Sequence, residues 1–301
     1  MRIASLLPSA TEMVCALGLA EDLVGISHDC DYPPQIAGTP VLSQAIVTST
    51  LPSGEIEARI RHAVHRGNSV YHLDAEQLAE LRPELILTQE LCSVCAPSYT
   101  LVKQAAKVLD AETKIVSLEP LGLLDILENL LLVGELTGHR ARADAIEGDL
   151  RDRIDRVWDS VAGLPKRRVA CIEWLEPLYV AGHWVPEMVA IAGGRDVLGK
   201  TREPSFMASW EDVVAAAPET LIIMPCGFDV ARTREEIHLL TDRPEWHRLP
   251  AVQDKQVYLT DATSYFNRPG PRIVTGLEIL ATIFHPQAST AALPPRFFEP
   301  L

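Results

Sequence analysis

The chain lacks any concentrated run of basic residues. Its 27 Lys and Arg are outnumbered by 41 Asp and Glu, giving a formal net charge of -14. Phosphate contacts need a clustered basic face, so nucleic acid is not an expected partner. No segment approaches the roughly 20 apolar residues that span a bilayer, and a membrane-embedded protein is not expected either. The opening Met1-Arg2-Ile3-Ala4-Ser5-Leu6-Leu7-Pro8 is apolar but short, because Pro8 and Ser9-Ala10-Thr11-Glu12 end the run. It reads as a first strand rather than an export signal, no lipobox cysteine follows an apolar stretch, and the expected location of the sequence as written is cytoplasmic, or periplasmic or cell-surface if the true start is upstream. Cysteine is also scarce: six in 301 residues cannot form a disulfide framework. Cys15 and Cys171, in apolar helix and strand contexts, read as core residues, whereas the other four fall in loops.

What is present is a duplicated idea. Pro83-Glu84 runs into the apolar Leu85-Ile86-Leu87 and then reaches Cys92; Pro218-Glu219 runs into Leu221-Ile222-Ile223-Met224 and then reaches Cys226. Each reads as a helix end, a buried parallel strand and a functional loop. Open α/β sheets bind ligands outside the carboxyl ends of their strands, so two such units imply a two-lobed binding protein. A 301-residue chain that is 47% hydrophobic can fill two cores.

The alternation along the chain supports this. Arg2 to Leu7 reads as a strand, Ser9 and Glu12 as a capping box for a helix stopped by Gly18, and Leu23 to Ile26 as a second strand. A helix near Glu55 to Arg66 follows, then a strand from Val70 to Leu73, then a helix capped by Asp74 with Gln77 three residues on. Strands at Leu85 to Thr88 and Lys114 to Ser117 complete the first lobe. No proline occurs between Pro120 and Pro165, and Ile146, Leu150, Ile154, Val157 and Val161 recur at helical spacing. This predicts one long helix, led into by a shorter one, with an apolar stripe that packs on both lobes.

The second lobe restarts the pattern. Strands are expected at Arg168 to Glu173, Leu221 to Met224 and Gln256 to Leu259. Helices are expected at Pro186 to Ala192, Trp210 to Ala216, Thr233 to Leu240 and Arg272 to Phe284. The expected boundaries are a first lobe over 1–120, a bridging helical segment over 121–164, a second lobe over 165–286 and a loosely held tail over 287–301.

This layout, with Ser5-Leu6-Leu7-Pro8-Ser9-Ala10-Thr11-Glu12 at its start, resembles the helical-backbone substrate-binding proteins of ABC importers. That class takes up cobalamin, haem and iron siderophores. Val24-Gly25-Ile26-Ser27-His28-Asp29-Cys30-Asp31-Tyr32-Pro33, Met224-Pro225-Cys226-Gly227-Phe228-Asp229 and Tyr265-Phe266-Asn267-Arg268-Pro269-Gly270-Pro271-Arg272 are most similar to a cobalamin-binding branch. The resemblance implies an α/β fold of two Rossmann-like lobes with mostly parallel sheets, bridged by a long rigid helix, with a ligand cleft between them. It further implies cobalamin, another corrinoid or a similar metal chelate as ligand, and an ABC permease as partner.

The loops supply the candidate site. A corrin ring is large, flat and apolar on its faces, which calls for aromatic walls with a few polar groups. Tyr32, Trp174, Trp184, Phe206, Phe228, Tyr265 and Phe266 fall in expected loops or at strand ends, and Arg268 is placed to reach a ligand amide or phosphate or to cap the next helix. Cys92 and Cys95 have Cys-x-x-Cys spacing; with Cys30 and Cys226 they form a candidate set of four thiolates for Zn²⁺ or an iron-sulfur cluster. His28 is a candidate ligand-binding residue, and it or one cysteine could be an axial ligand to a bound cobalt. There is no Gly-x-Ser-x-Gly elbow, no Gly-x-x-x-x-Gly-Lys loop and no Gly-x-Gly-x-x-Gly after the first strand. The alternative to a binding protein is an enzyme or metal protein that uses the cysteine set on a small molecule.

Overall fold

The computed structural model describes residues 1–45, 47–48, 50–66, 70–89, 113–288, 293–294 and 297–301. It divides into two compact α/β lobes. One comprises Met1–Leu51, Ala58–Pro120 and Leu124–Gly148; the other comprises Pro52–Glu57, Leu121–Leu123 and Asp149–Leu301.

In the first lobe the strands are β1 (Ile3–Ser5), β2 (Leu23–Ile26), β3 (Ser43–Ala45), β4 (Tyr71–Leu73), β5 (Leu85–Thr88) and β6 (Lys114–Ser117). Four of them form a parallel sheet in the order β2-β1-β5-β6, and β3 pairs antiparallel with β4 beside it. All residues of β1 and β5 are buried, as continuous apolar runs flanked by neighbours on both sides require. Asp74 caps the helix Ala75–Leu81 by accepting from the Gln77 amide at 2.9 Å. The expected capping box at Ser9 and Glu12 does not form. Leu7 is the N-cap without a side-chain bond, Pro8 takes the first helical turn of Pro8–Ala16, and Ser9 and Glu12 are buried. Proline has no N–H to satisfy and a preset φ, so it opens a helix without a polar cap.

The proline-free stretch is two helices, Leu123–Leu136 and Arg140–Val161, separated at Gly138 with φ +75°. A Cβ on Gly134 would lie 2.4 Å from that of Ala143, so glycine lets the two helices approach closely. In the longer helix Leu150, Ile154, Val157 and Val161 are buried at the expected spacing, and the boundary between the lobes falls within it, after Gly148.

The second lobe contains β7 (Arg167–Trp174), β8 (Tyr179–Val180), β9 (Gly194–Asp196), β10 (Phe206–Met207), β11 (Thr220–Ile223), β12 (Val257–Thr260) and β13 (Phe298–Pro300). Among the described residues these form one sheet in the order β10-β8-β7-β11-β12-β13, with β9 also paired to β7. The centre, β7, β11 and β12, is parallel; β8, β10 and β13 run antiparallel to their neighbours. Its core gathers Ala170, Ile172, Leu221, Ile223 and Leu259 with Trp210 and Trp246. The stretch read as one helix from Thr233 is two short ones, Val230–Glu236 and His238–Thr241. Among the described residues no helix is long and apolar enough to cross a membrane.

The tail also departs from expectation. Phe298–Pro300 is a strand on the edge of β12, with Leu259 opposite Glu299 and Thr260 opposite Phe298. Arg234 holds Glu299, and Phe297 lies with its ring centroid 4.6 Å from that of Tyr265. The proline and alanine content hides this pairing in the sequence, yet an outermost strand accepts proline because its outer N–H has no partner to lose. Deleting residues 297–301 should lower the melting temperature by several degrees and promote self-association through the uncovered β12 edge, read by thermal melts and light scattering.

Candidate functional site

Each lobe concentrates polar and aromatic side chains where its parallel strands end. In the first lobe the backbone leaves β2 at Ile26 and is pinned at once, since the Ser27 amide donates to the Ser5 carbonyl at 2.9 Å and the Cys30 amide to the Ser27 carbonyl at 3.1 Å. His28 is oriented by Ser43 of β3, with Nδ1 2.8 Å from the Ser43 hydroxyl, and its ring lies 5.5 Å from that of Tyr71. The Thr11 hydroxyl donates to Ser5 at 2.8 Å, and the Ser5 hydroxyl donates to the Leu7 carbonyl at 3.1 Å. Thr11 has no second proton, so in the 3.1 Å contact between Cys30 Sγ and Thr11 Oγ1 the thiol is the donor. Tyr32 is exposed two residues further on. The loop thus fixes one imidazole and one thiol through neighbouring hydroxyls, both partly accessible and both chemically able to coordinate a transition metal.

In the second lobe the corresponding edge is built by β7, β11 and β12. The Met224 amide donates to Ile172 at 2.8 Å and the Cys226 amide to the Glu173 carbonyl at 3.0 Å, so the segment after β11 still follows β7. Gly227, with φ +78°, turns the chain. Phe228 then packs on Trp174, ring centroids 5.2 Å apart, and Arg232 covers the Phe228 ring with its guanidinium carbon 4.3 Å from the centroid. Asp229 caps the helix Val230–Glu236 by accepting from the Arg232 amide at 2.7 Å. Arg232 also pairs with Glu236, whose two oxygens accept from the Ser53 amide at 3.1 and 3.0 Å. Burial pushes the Glu236 carboxyl up, but the bonds from Ser53 and Arg232 outweigh it and hold the group below its usual value.

The aromatic candidates separate by burial. Trp174, Phe206 and Tyr265 are half-buried, with Lys200 Nζ 5.5 Å from the Phe206 ring centre. Phe228 and Phe266 are buried, at 1% and 0% exposure, and Trp184 is buried with its indole N–H donating to the Phe266 carbonyl at 2.8 Å. These three hold the edge together and do not present open faces, which corrects their reading as ligand-stacking walls; large aromatic rings this close to a sheet contribute most by filling its core. Arg268 is half-buried, in a turn where its carbonyl accepts from Gly270 at 2.8 Å. Cys226 is partly buried, Cys171 is buried in β7, and burial pushes the Cys171 thiol well above its ordinary value. Cys92 and Cys95 lie outside the described residues. Among the described residues no group of three or more His, Cys, Asp or Glu side chains is placed to hold a metal ion.

Two carboxylates were missed by sequence reasoning. Glu173 follows the apolar run Val169–Ile172 and is half-buried: Oε2 accepts from the Ser205 hydroxyl at 2.6 Å, and that hydroxyl accepts from the Gly182 amide at 3.1 Å. Asp196 ends β9, with Oδ1 accepting from Leu198 and Gly199 at 3.0 and 2.7 Å. For Glu173 the available signal was a charged residue directly after a buried apolar run; Asp196, after Gly194 and the exposed Arg195, carried no such signal. Burial pushes Glu173 up to about 7 and Asp196 up to about 6, against the opposing pull of these hydrogen bonds.

The fold is that of two-lobed periplasmic binding proteins. A sequence model described as "Periplasmic binding protein" matches residues 3–263, and the chain belongs to that family. A vitamin B12-binding protein of Vibrio cholerae serotype O1 is 24% identical over 294 residues, covering 93% of this chain and 88% of that protein. A periplasmic heme binding protein from Pseudomonas aeruginosa superposes with a TM-score of 0.71 at 24% identity, covering 98% of this chain and 96% of that one. An ABC transporter substrate-binding protein from Listeria monocytogenes EGD-e gives a TM-score of 0.71 at 18% identity, covering 95% and 99%.

The raised carboxyls give a pH dependence whose sign follows from linkage. An unfolded Glu titrates near 4.5 and the folded Glu173 near 7, so the folded state binds the extra proton between these values. Its stabilisation is complete below pH 4.5 and is lost as pH rises to 7. Glu173→Gln should therefore melt several degrees above the parent protein at pH 8, and the gap should close at pH 5, measured by calorimetry across that range.

Proposed function

We propose that this chain is a binding protein for cobalamin, another corrinoid or a similar planar metal chelate, and that it delivers this ligand to an ABC permease. The observation that carries the reading is the stack of Trp174, Phe228 and Arg232 at the carboxyl ends of β7 and β11. A half-open indole backed by a buried ring and a guanidinium suits the face of a macrocycle and the amide or acidic groups at its rim. The first lobe, taken by itself, carries an imidazole and a thiol at His28 and Cys30, both side chains able to coordinate a transition metal. The vitamin B12-binding relative supports a corrinoid, the heme-binding neighbour keeps the metal porphyrins in play, and the Listeria neighbour supports the transport role.

Titration of the full chain with cyanocobalamin and, separately, with hemin tests the assignment, followed by absorbance and calorimetry. One ligand per chain is expected, with cyanocobalamin bound more tightly. Trp174→Ala should weaken binding by about 1 to 3 kcal/mol, the scale of an aromatic contact in a desolvated site. Binding of hemin alone would change the ligand class to porphyrins; binding of neither would overturn the proposal.

A further inference from the structure

Glu173 occupies an irregular place in the sheet. β7 and β8 pair antiparallel with Ile172 opposite Val180 and Trp174 opposite Tyr179, so two steps along β7 correspond to one along β8. Glu173 is the extra residue, and the irregularity is a β-bulge, a device that interrupts side-chain alternation and re-aims the residues beside it. The residue beside it is Trp174, whose indole N–H donates to the Glu176 carbonyl at 3.1 Å and whose ring meets Phe228.

Three other segments converge on the same residue. Its carbonyl accepts from Cys226 in the loop after β11. Its carboxyl accepts from Ser205, the residue immediately before β10 and Phe206. Through the Ser205 hydroxyl it also reaches the amide of Gly182, where a Cβ would lie 2.4 Å from the Glu203 carbonyl oxygen and 2.6 Å from the Ser205 nitrogen. The missing Cβ permits that close approach, and the His183 amide holds it by donating to the Glu203 carbonyl at 2.6 Å.

We propose that Glu173 is a positioning residue for the aromatic wall, setting the orientation of Trp174 through the bulge and the placement of Phe206 through Ser205. The proposal rests on the binding function assigned above, in that the wall it positions is the one the chelate meets. It predicts that removing either end of the Glu173 to Ser205 bond disturbs the same aromatic residues, although neither end need touch the ligand.

The test uses the full chain and two readouts. The first needs no ligand: the contribution of Trp174 to near-ultraviolet circular dichroism and fluorescence, isolated by subtracting the spectrum of Trp174→Phe. Glu173→Ala and Ser205→Ala should alter that contribution in the same way, and Glu173→Gln, which keeps an oxygen for Ser205 to donate to, should restore most of it. The second is affinity for cyanocobalamin. Glu173→Ala and Ser205→Ala should each weaken it about tenfold, the scale of one hydrogen bond to a carboxylate. Against a Trp174→Phe background the same changes should have a much smaller effect, because their route to the ligand runs through that ring. If Glu173→Ala does not fold, Ser205→Ala, which deletes one oxygen, carries both readouts. An unchanged Trp174 contribution in Ser205→Ala, or losses of affinity that simply add to that of Trp174→Phe, would overturn the proposal. If the parent protein binds neither cyanocobalamin nor hemin, the binding function fails while the first readout still decides the positioning role.

Discussion

The second lobe depends on one constraint: its central strands have no face left for chemistry. Thr220 to Ile223 are buried throughout, and β11 is held in register by β7 on one side and β12 on the other. Backbone committed to neighbours on both edges, with side chains covered on both faces, can turn polar only where the strand stops. Parallel strands stop on the same side, so the loops after β7, β11 and β12 gather at one edge of the sheet. The first lobe obeys the same rule, with β5 buried between β1 and β6 and with Ser27, His28 and Cys30 following the end of β2. The site is where the geometry of the parallel sheet first permits polar groups.

Such an edge must be rigid before it is useful, and this divides the aromatic residues by role. Phe228, Phe266 and Trp184 are buried, and the Trp184 indole bonds the Phe266 backbone. Truncating rings of this size inside a core costs about 3 to 5 kcal/mol, so their first effect is on stability. Trp174 has a different position, with one side on Phe228 and the rest half-open. A ligand ring meeting Trp174 gains from the buried floor beneath it, because that floor has already lost the freedom that binding would otherwise have to remove.

The parts of the fold that were legible in the sequence are those written locally. Leu85 to Thr88, the stripe through Leu150, Ile154, Val157 and Val161, and the Asp74 cap all follow from spacing within a few residues. The parts that were not legible depend on partners far along the chain. Nothing near Phe298 announces that Thr260 will lie opposite it, and a Ser-x-x-Glu pattern at Ser9 is not a capping box when Pro8 opens the helix from Leu7. At the candidate site, loop position singled out Trp174, Tyr265, Phe228 and Phe266 alike and could not separate the half-buried pair from the buried one, since alternation ends with the strand and burial in the loops is decided by packing. Glu173 was passed over because it reads as the end of a strand; its meaning comes from Ser205, 32 residues later.

The two half-buried carboxylates, Glu173 and Asp196, show how the lobe holds a long excursion of its chain. On one side of β7, β9 lies along the amino-terminal half and β8 along the carboxyl-terminal half: the Val169 carbonyl accepts from Val197 at 2.9 Å and the Cys171 carbonyl from Ala181 at 3.0 Å. Between them the chain leaves β8, forms the helix Val185–Ile191, returns as β9 and departs again toward β10. Asp196 fixes the second departure through the amides of Leu198 and Gly199, and a Cβ on Gly199 would lie 2.6 Å from Asp196 Oδ2. Glu173 fixes both the first departure and the final return, since Ser205 links its carboxyl to Gly182. Burying a carboxyl is costly, and an apolar replacement could pack the same volume. It could not accept hydrogen bonds from backbone amides and a hydroxyl in two separate turns, and without those bonds the excursion that carries Phe206 would lose both carboxylate anchors and keep only backbone pairings such as β10 with β8 and His183 with Arg202 and Glu203.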